Sequence, residues 1–231
     1  MELVGILIAI PLIVLIAVMA ARQARRRREG LAALANTLGF RFAPEPRSDF
    51  GTLHRHEVFR RGSSRRAFNL LSGVVETWDA DLPCTMGDYR YTVQSGKHST
   101  TYRFSFILLR LPWTSVPDVT IRPEHIGDKI MGAVGFDDID FESEEFSRKF
   151  MVKSPDKRFA YDVVHTRMME YFLEVQGPSV EILQGECLLM AGIRTWTPDD
   201  FRARLSWGQR FLELWPEHLV QQLHTGPKHS P

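Results

Sequence analysis

Residues 88–109 read DYRYTVQSGKHSTTYRFSFILL, and this stretch decides the fold class. Tyr89, Tyr91 and Val93 alternate with Arg90 and Thr92. Tyr102, Phe104, Phe106 and Leu108 alternate with Arg103 and Ser105, before the run turns apolar on both faces. Strand side chains point to opposite faces with a period of two, so each run can bury one face. Between them, Gln94-Ser95-Gly96-Lys97-His98-Ser99 has the composition of a turn, which predicts a half-buried antiparallel hairpin.

Toward the C-terminus the pattern becomes mixed. Asp118–Arg122 reads as a short strand. Pro123 can open a helix with Ile126, Ile130, Ala133 and Val134 on one face, closed by Gly135. Arg158–Val175 reads as one helix, with Val164, Met168, Tyr171 and Phe172 aligned. Val180–Leu183 and Cys187–Met190 flank Gln184-Gly185-Glu186 as a second hairpin. Thr197, Pro198, Asp199 and Asp200 form a helix start, and Pro216 interrupts that helix. Toward the N-terminus the β signal begins near His56, after a linker-like Ala43-Pro44-Glu45-Pro46. Leu31, Leu34, Ala35 and Leu38 have helical spacing, and Gly39 can cap them. Strands in runs, with helices between and after them, predict an α+β fold. The expected domain is mostly antiparallel with packing helices. Its element order is analogous to a PH-like barrel closed by a C-terminal helix.

Leu3–Ala21 is uncharged for 19 residues. As a helix it would span roughly 28 Å, close to the hydrocarbon thickness of a bilayer. Pro11 lies mid-span, which membrane helices tolerate. A cleaved signal peptide needs a basic region before its apolar stretch. Here only Glu2 precedes it, and Arg22, Arg25, Arg26, Arg27 and Arg28 follow. This predicts a transmembrane helix over 1–21, a basic juxtamembrane stalk and linker over 22–49, an α+β domain over 50–224 and a loose tail over 225–231. The arginines place the N-terminus outside and the domain in the cytoplasm, at the inner (plasma) membrane. They are the expected membrane-surface and topology residues.

The chain's net charge of +1 divides unevenly: residues 1–29 carry +3 and the rest −2. The folded part therefore lacks the basic excess of a nucleic-acid binder. A hydrophobic content of 44% and a charged content of 25% argue against disorder. The two cysteines, Cys84 and Cys187, have no metal spacing. Free thiols are the simple reading, and spacing alone leaves a disulfide open.

The familiar catalytic patterns fail. Gly96-Lys97 lacks the earlier glycine and the following hydroxyl residue of a phosphate loop, since Tyr91 and His98 stand there. No Gly-x-Ser-x-Gly, His-Glu-x-x-His or Gly-x-Gly-x-x-Gly occurs. His54 and His56 would share a strand face, but two ligands do not make a metal site. The acidic run Asp137, Asp138, Asp140, Glu142, Glu144, Glu145 fails as a calcium loop, because Ser143 and Lys149 occupy required positions. It reads instead as a solvated strand edge with Ile139 and Phe141 turned inward. Arg60, Arg61, Arg65 and Arg66 around Gly62-Ser63-Ser64 could touch anionic lipid, being about 30 residues from the anchor, but a charged hairpin turn is the preferred reading. No catalytic, cofactor or metal residue is assigned.

Phe141-Glu142-Ser143-Glu144-Glu145-Phe146, with Phe150 and Val152, leads through Asp156, Arg158, Ala160 and Tyr161 to Met168-Met169-Glu170-Tyr171. Together with the Asp88-Tyr89-Arg90-Tyr91 strand, this resembles a bacterial family of membrane-anchored proteins that share a domain of unknown function. The resemblance covers about residues 50–190. It implies a membrane-tethered bacterial domain and carries over no catalytic residue.

The leading expectation is a non-enzymatic interaction or scaffold module, with the bilayer and a protein as its partners. The alternative is a membrane-proximal sensor of lipid or a small ligand. An enzyme assembled from distant residues such as Asp138, Asp140 and His165 is a third reading.

Overall fold

The computed structural model describes residues 2–49, 51–77, 79–113, 115–124, 137–175 and 177–225, with the side chains of all of these except 2–11 and 52. The helix expected after Pro123 and the end of the tail lie outside the described residues.

Among the described residues, eight strands form one antiparallel sheet in the order β1-β2-β3-β4-β8-β7-β5-β6. They are β1 (Arg41–Ala43), β2 (Ser63–Glu76), β3 (Asp81–Ser95), β4 (His98–Arg110), β5 (Val119–Pro123), β6 (Phe150–Lys153), β7 (Ser179–Leu183) and β8 (Glu186–Met190). Among the described residues, six α-helices accompany them: α1 (Glu2–Leu38), α2 (Glu144–Lys149), α3 (Lys157–Val163), α4 (Thr166–Val175), α5 (Pro198–Glu213) and α6 (Glu217–Thr225). The α+β class is as expected. The barrel analogy is not: β1 and β6 end an open sheet and do not meet.

The β3–β4 hairpin is the spine of the sheet, with Tyr89 opposite Phe104 and Met86 opposite Ile107. Its alternation sorts two cores. Tyr89, Tyr91, Phe104, Phe106 and Leu108 pack on one face with Leu53, Val58 and Phe59. Met86, Ile107 and Leu109 pack on the other with Leu31, Leu34 and Ala35 of α1 and Phe211 of α5. Residues 51–60, expected to begin the β region, form two 3-10 turns that cover the first face. His54 and His56 therefore share no strand face: His56 is buried and His54 exposed.

Helix α1 runs unbroken past Pro11 into the domain. Gly39 ends it with φ +67°, and the Phe40 amide returns to the Ala35 carbonyl at 2.8 Å, a Schellman closure. The apolar residues Leu12, Ile13, Val14, Leu15, Ile16, Val18 and Met19 are all exposed. Among the described residues no helix is long and apolar enough to cross a membrane. About half of the expected 1–21 span, residues 1–11, has no described side chain.

Two further elements differ from expectation. The helix predicted over 158–175 breaks into α3 and α4. Val164 leaves helical space at φ −97°, ψ 52°, and the His165 ring meets the Leu214 carbonyl at 2.9 Å. Consecutive β-branched Val163 and Val164 weaken the helix there. The acidic segment 138–142 lies along β6 without joining the sheet. The Ile139 amide reaches the Val152 carbonyl at 2.9 Å, but the Val152 amide goes to Asp138 Oδ1, also at 2.9 Å. A side chain thus replaces the carbonyl a ladder would need. Ile139 is buried as expected.

Candidate functional site: the Arg27 dock

The feature that most constrains function is where α1 meets the sheet. A bulge in β2 between Phe68 and Leu71 puts Asn69 at φ +52° and turns its side chain toward β3. Gly87 makes room for the bulge: a Cβ there would lie 3.0 Å from the Asn69 carbonyl oxygen and 2.8 Å from Leu70 Cδ2. Beside it, Asp88 of β3 faces Ser105 of β4 in register, on the helix side of the sheet.

Arg27 enters this polar notch. Its Nε donates to Asp88 Oδ2 at 2.8 Å and its Nη2 to Asp88 Oδ1 at 2.6 Å. Nη1 donates to the Trp196 carbonyl at 2.8 Å. Asp88 also accepts from Ser105 Oγ at 2.6 Å and Asn69 Nδ2 at 2.9 Å, and Ser105 Oγ accepts from the Trp196 amide at 2.9 Å. Asp88 is fully buried, while the Arg27 side chain retains 24% exposure. A bidentate guanidinium–carboxylate pair fixes orientation as well as distance. Four segments of the chain besides α1 meet here: β2, β3, β4 and the approach to α5.

The other expected arginines have other places. Arg22, Arg26 and Arg28 are exposed on α1, and Arg25 pairs with Glu29 one turn on, at 2.8 Å. Arg27 alone of the five turns into the domain. Its role was hidden in the sequence, because its partners lie 61 to 169 residues away. Asp88 came forward only as part of the Asp88–Tyr91 resemblance.

A second buried polar group sits on the opposite face. His56 Nδ1 lies 2.7 Å from Glu181 Oε2. Glu186, 1% exposed, has only long ion pairs, to Arg55 at 3.7 Å, Arg110 at 3.8 Å and His56 at 3.9 Å. Among the described residues no group of three or more His, Cys, Asp or Glu is placed to hold a metal. Asp138 accepts from the Val152 amide, the Asp140 carbonyl accepts from Tyr161 and the His165 ring meets the Leu214 carbonyl. Cys84 and Cys187 are free and buried, on strands separated by β4. Burial pushes both thiols from 9.0 up to about 12. A concavity of about 560 Å³ lies between α3 and α6. Two of its polar side chains are engaged locally: Asp156 caps α3, and the Thr225 hydroxyl donates to the Gln221 and Gln222 carbonyls.

No protein-family model matches the chain, and no curated protein matches it. Among solved structures, the crystal structure of the mycobacterial trehalose monomycolate transport factor A, TtfA, is similar. It aligns with a TM-score of 0.54 at 15% identity, over 84% of this chain and 97% of that one. The likeness is one of fold. At this identity it transfers no residue role, and the Arg27 dock stands on this chain's own geometry.

Proposed function

We propose that this is a single-pass membrane protein in which α1 holds a non-enzymatic interaction module at a fixed height and orientation on the cytoplasmic face of the membrane. The observation that carries this reading is the Arg27–Asp88 pair. It is formed by the same unbroken helix that exposes the apolar residues 12–19. Such an apolar surface calls for cover by lipid. A flexible tether would only raise local concentration, whereas a docked helix also selects which face of the domain a partner on the same membrane meets. The neighbour's name ties TtfA to transport of trehalose monomycolate, a lipid. That name accords with the alternative reading, a membrane-proximal lipid-binding module, and does not bear on the scaffold reading.

Two measurements test the proposal. Full-length protein should resist alkaline extraction from membranes, and a chain lacking residues 1–21 should not. In-cell cross-linking should recover a defined protein partner only from the anchored form. Extraction of the full-length chain, or turnover of a substrate by the purified protein, would overturn the reading.

A further inference from the structure

The helix-side face of the β3–β4 hairpin grades from its turn inward. Gln94 pairs with Ser99, Thr92 with Thr101, Arg90 with Arg103, Asp88 with Ser105, and Met86 with Ile107. The inner pairs are core and the Asp88 pair is the dock. The Arg90–Arg103 pair extends onto β2, where Arg66 stands directly opposite Arg90. Three arginines thus lie side by side across three adjacent strands, about 5 Å from one to the next. Like charges directly opposite one another destabilise a sheet. No carboxylate among the described residues pairs with any of the three; Arg66 donates only to the Arg65 carbonyl, at 2.8 Å. Arg66 and Arg103 are exposed and Arg90 is half-buried.

The row has a defined position relative to α1. It stands one side-chain step beyond Asp88, toward the hairpin turn. Phe40, just past the other end of α1, packs over Gly73, which pairs with Cys84. Between Phe40 and Arg27, therefore, α1 runs toward the turn end of the hairpin. Ala20, Gln23 and Ala24, on its inner side, are already exposed there. The row lies on the helix side of the sheet, at the end toward which the apolar segment of α1 runs.

We infer that Arg66, Arg90 and Arg103 form a binding site for the phosphate of an anionic phospholipid headgroup. Guanidinium groups recognise phosphate oxygens through paired N–H donors, and three of them supply the charge that their neighbours leave uncompensated. The inference rests on the membrane-tethered reading, which places this end of the sheet toward the headgroup layer. The headgroup is recognised by the folded sheet itself, apart from the exposed arginines of α1.

The test uses full-length protein in nanodiscs of phosphatidylcholine alone or with phosphatidylglycerol, with hydrogen exchange followed over residues 88–104. Phosphatidylglycerol should slow exchange there, and added salt should reverse the effect. The R66Q/R90Q/R103Q variant should lose the protection, with headgroup binding weaker by about two orders of magnitude, taking the typical contribution of each basic residue near an anionic surface. Removing like charges should leave its thermal unfolding unchanged or raised, so lost protection would not reflect misfolding. R90Q alone supplies a milder second variant. Equal protection in both lipids, or protection that survives the triple substitution, would overturn the site. So would the same protection from millimolar inorganic phosphate in phosphatidylcholine discs, which would assign it to free phosphate. Alkaline extraction of the same protein separates the two failures: an anchored chain without protection refutes the headgroup site alone.

Discussion

Asp88 accepts four hydrogen bonds, two of them from Arg27, in a position closed to solvent. Breaking a buried ion pair from one side leaves an uncompensated charge and typically costs about 3–5 kcal/mol. Asp88→Ala should fall in that range by denaturant unfolding. Arg27→Ala should fall in the same range, because the charge it strands is the fully buried carboxylate, which keeps only Ser105 and Asn69 as donors. The double variant should be less destabilised than the sum of the two, since each change removes the reason for the other. Gly87→Ala tests the geometry beneath the dock: the added carbon would press on the bulge that aims Asn69, and a loss of about 1–3 kcal/mol is expected. A neutral outcome would show that the bulge can move without cost. The cysteines make a separate residue-scale prediction. Both thiols should resist a disulfide-exchange reagent at pH 8 until the protein unfolds. Their pKa values are raised on folding, so the folded state holds its protons more tightly. The associated stability is fully present below pH 9 and is lost as pH rises toward about 12. Unfolding midpoints measured from pH 8 to 11 should fall accordingly.

At the scale of elements, what was legible was what repeats locally. The β3–β4 hairpin, the β7–β8 hairpin and the α5 start all follow from neighbouring residues. At α5, Thr197 accepts from the Asp200 amide at 3.1 Å while Asp200 accepts from the Thr197 amide at 3.0 Å. The Thr197 amide bond is also the main reason the Asp200 carboxyl is held below its ordinary range. Thr197→Ala should cost about 1 kcal/mol, and a larger loss would mean the cap also supports the Trp196 contact to Arg27. The break between α3 and α4, the 3-10 turns over 51–60 and the loop beside β6 were not legible. Each is decided by a partner far away in sequence: Leu214 for His165, Glu181 for His56, and Val152 for Asp138. The dock shares this blindness. Within a run of basic residues nothing local distinguishes Arg27 from Arg26 or Arg28. The arginine row is similar, since Arg66, Arg90 and Arg103 become neighbours only once strand register is known.

On the scale of the whole molecule, α1 is a helix of the domain and, in the proposed function, also its tether. Its 37 residues make a rod of about 55 Å, and its last turns are built into the main core through Leu31, Leu34 and Ala35. Such a rod transmits rotation as well as distance. Inserting two alanines between Ala21 and Arg22 would turn the domain by about 200° relative to the anchor, and four would nearly restore its phase. Partner cross-linking should collapse with two and recover with four; equal yields in both would mean orientation is irrelevant. The most direct test of the central claim is a distance distribution between spin labels at Gln23 on α1 and Arg202 on α5, measured in the full-length protein by pulsed dipolar spectroscopy. A docked helix predicts one narrow distance that broadens in Asp88→Ala. A broad distribution in the unaltered chain, or one that Asp88→Ala leaves unchanged, would contradict it.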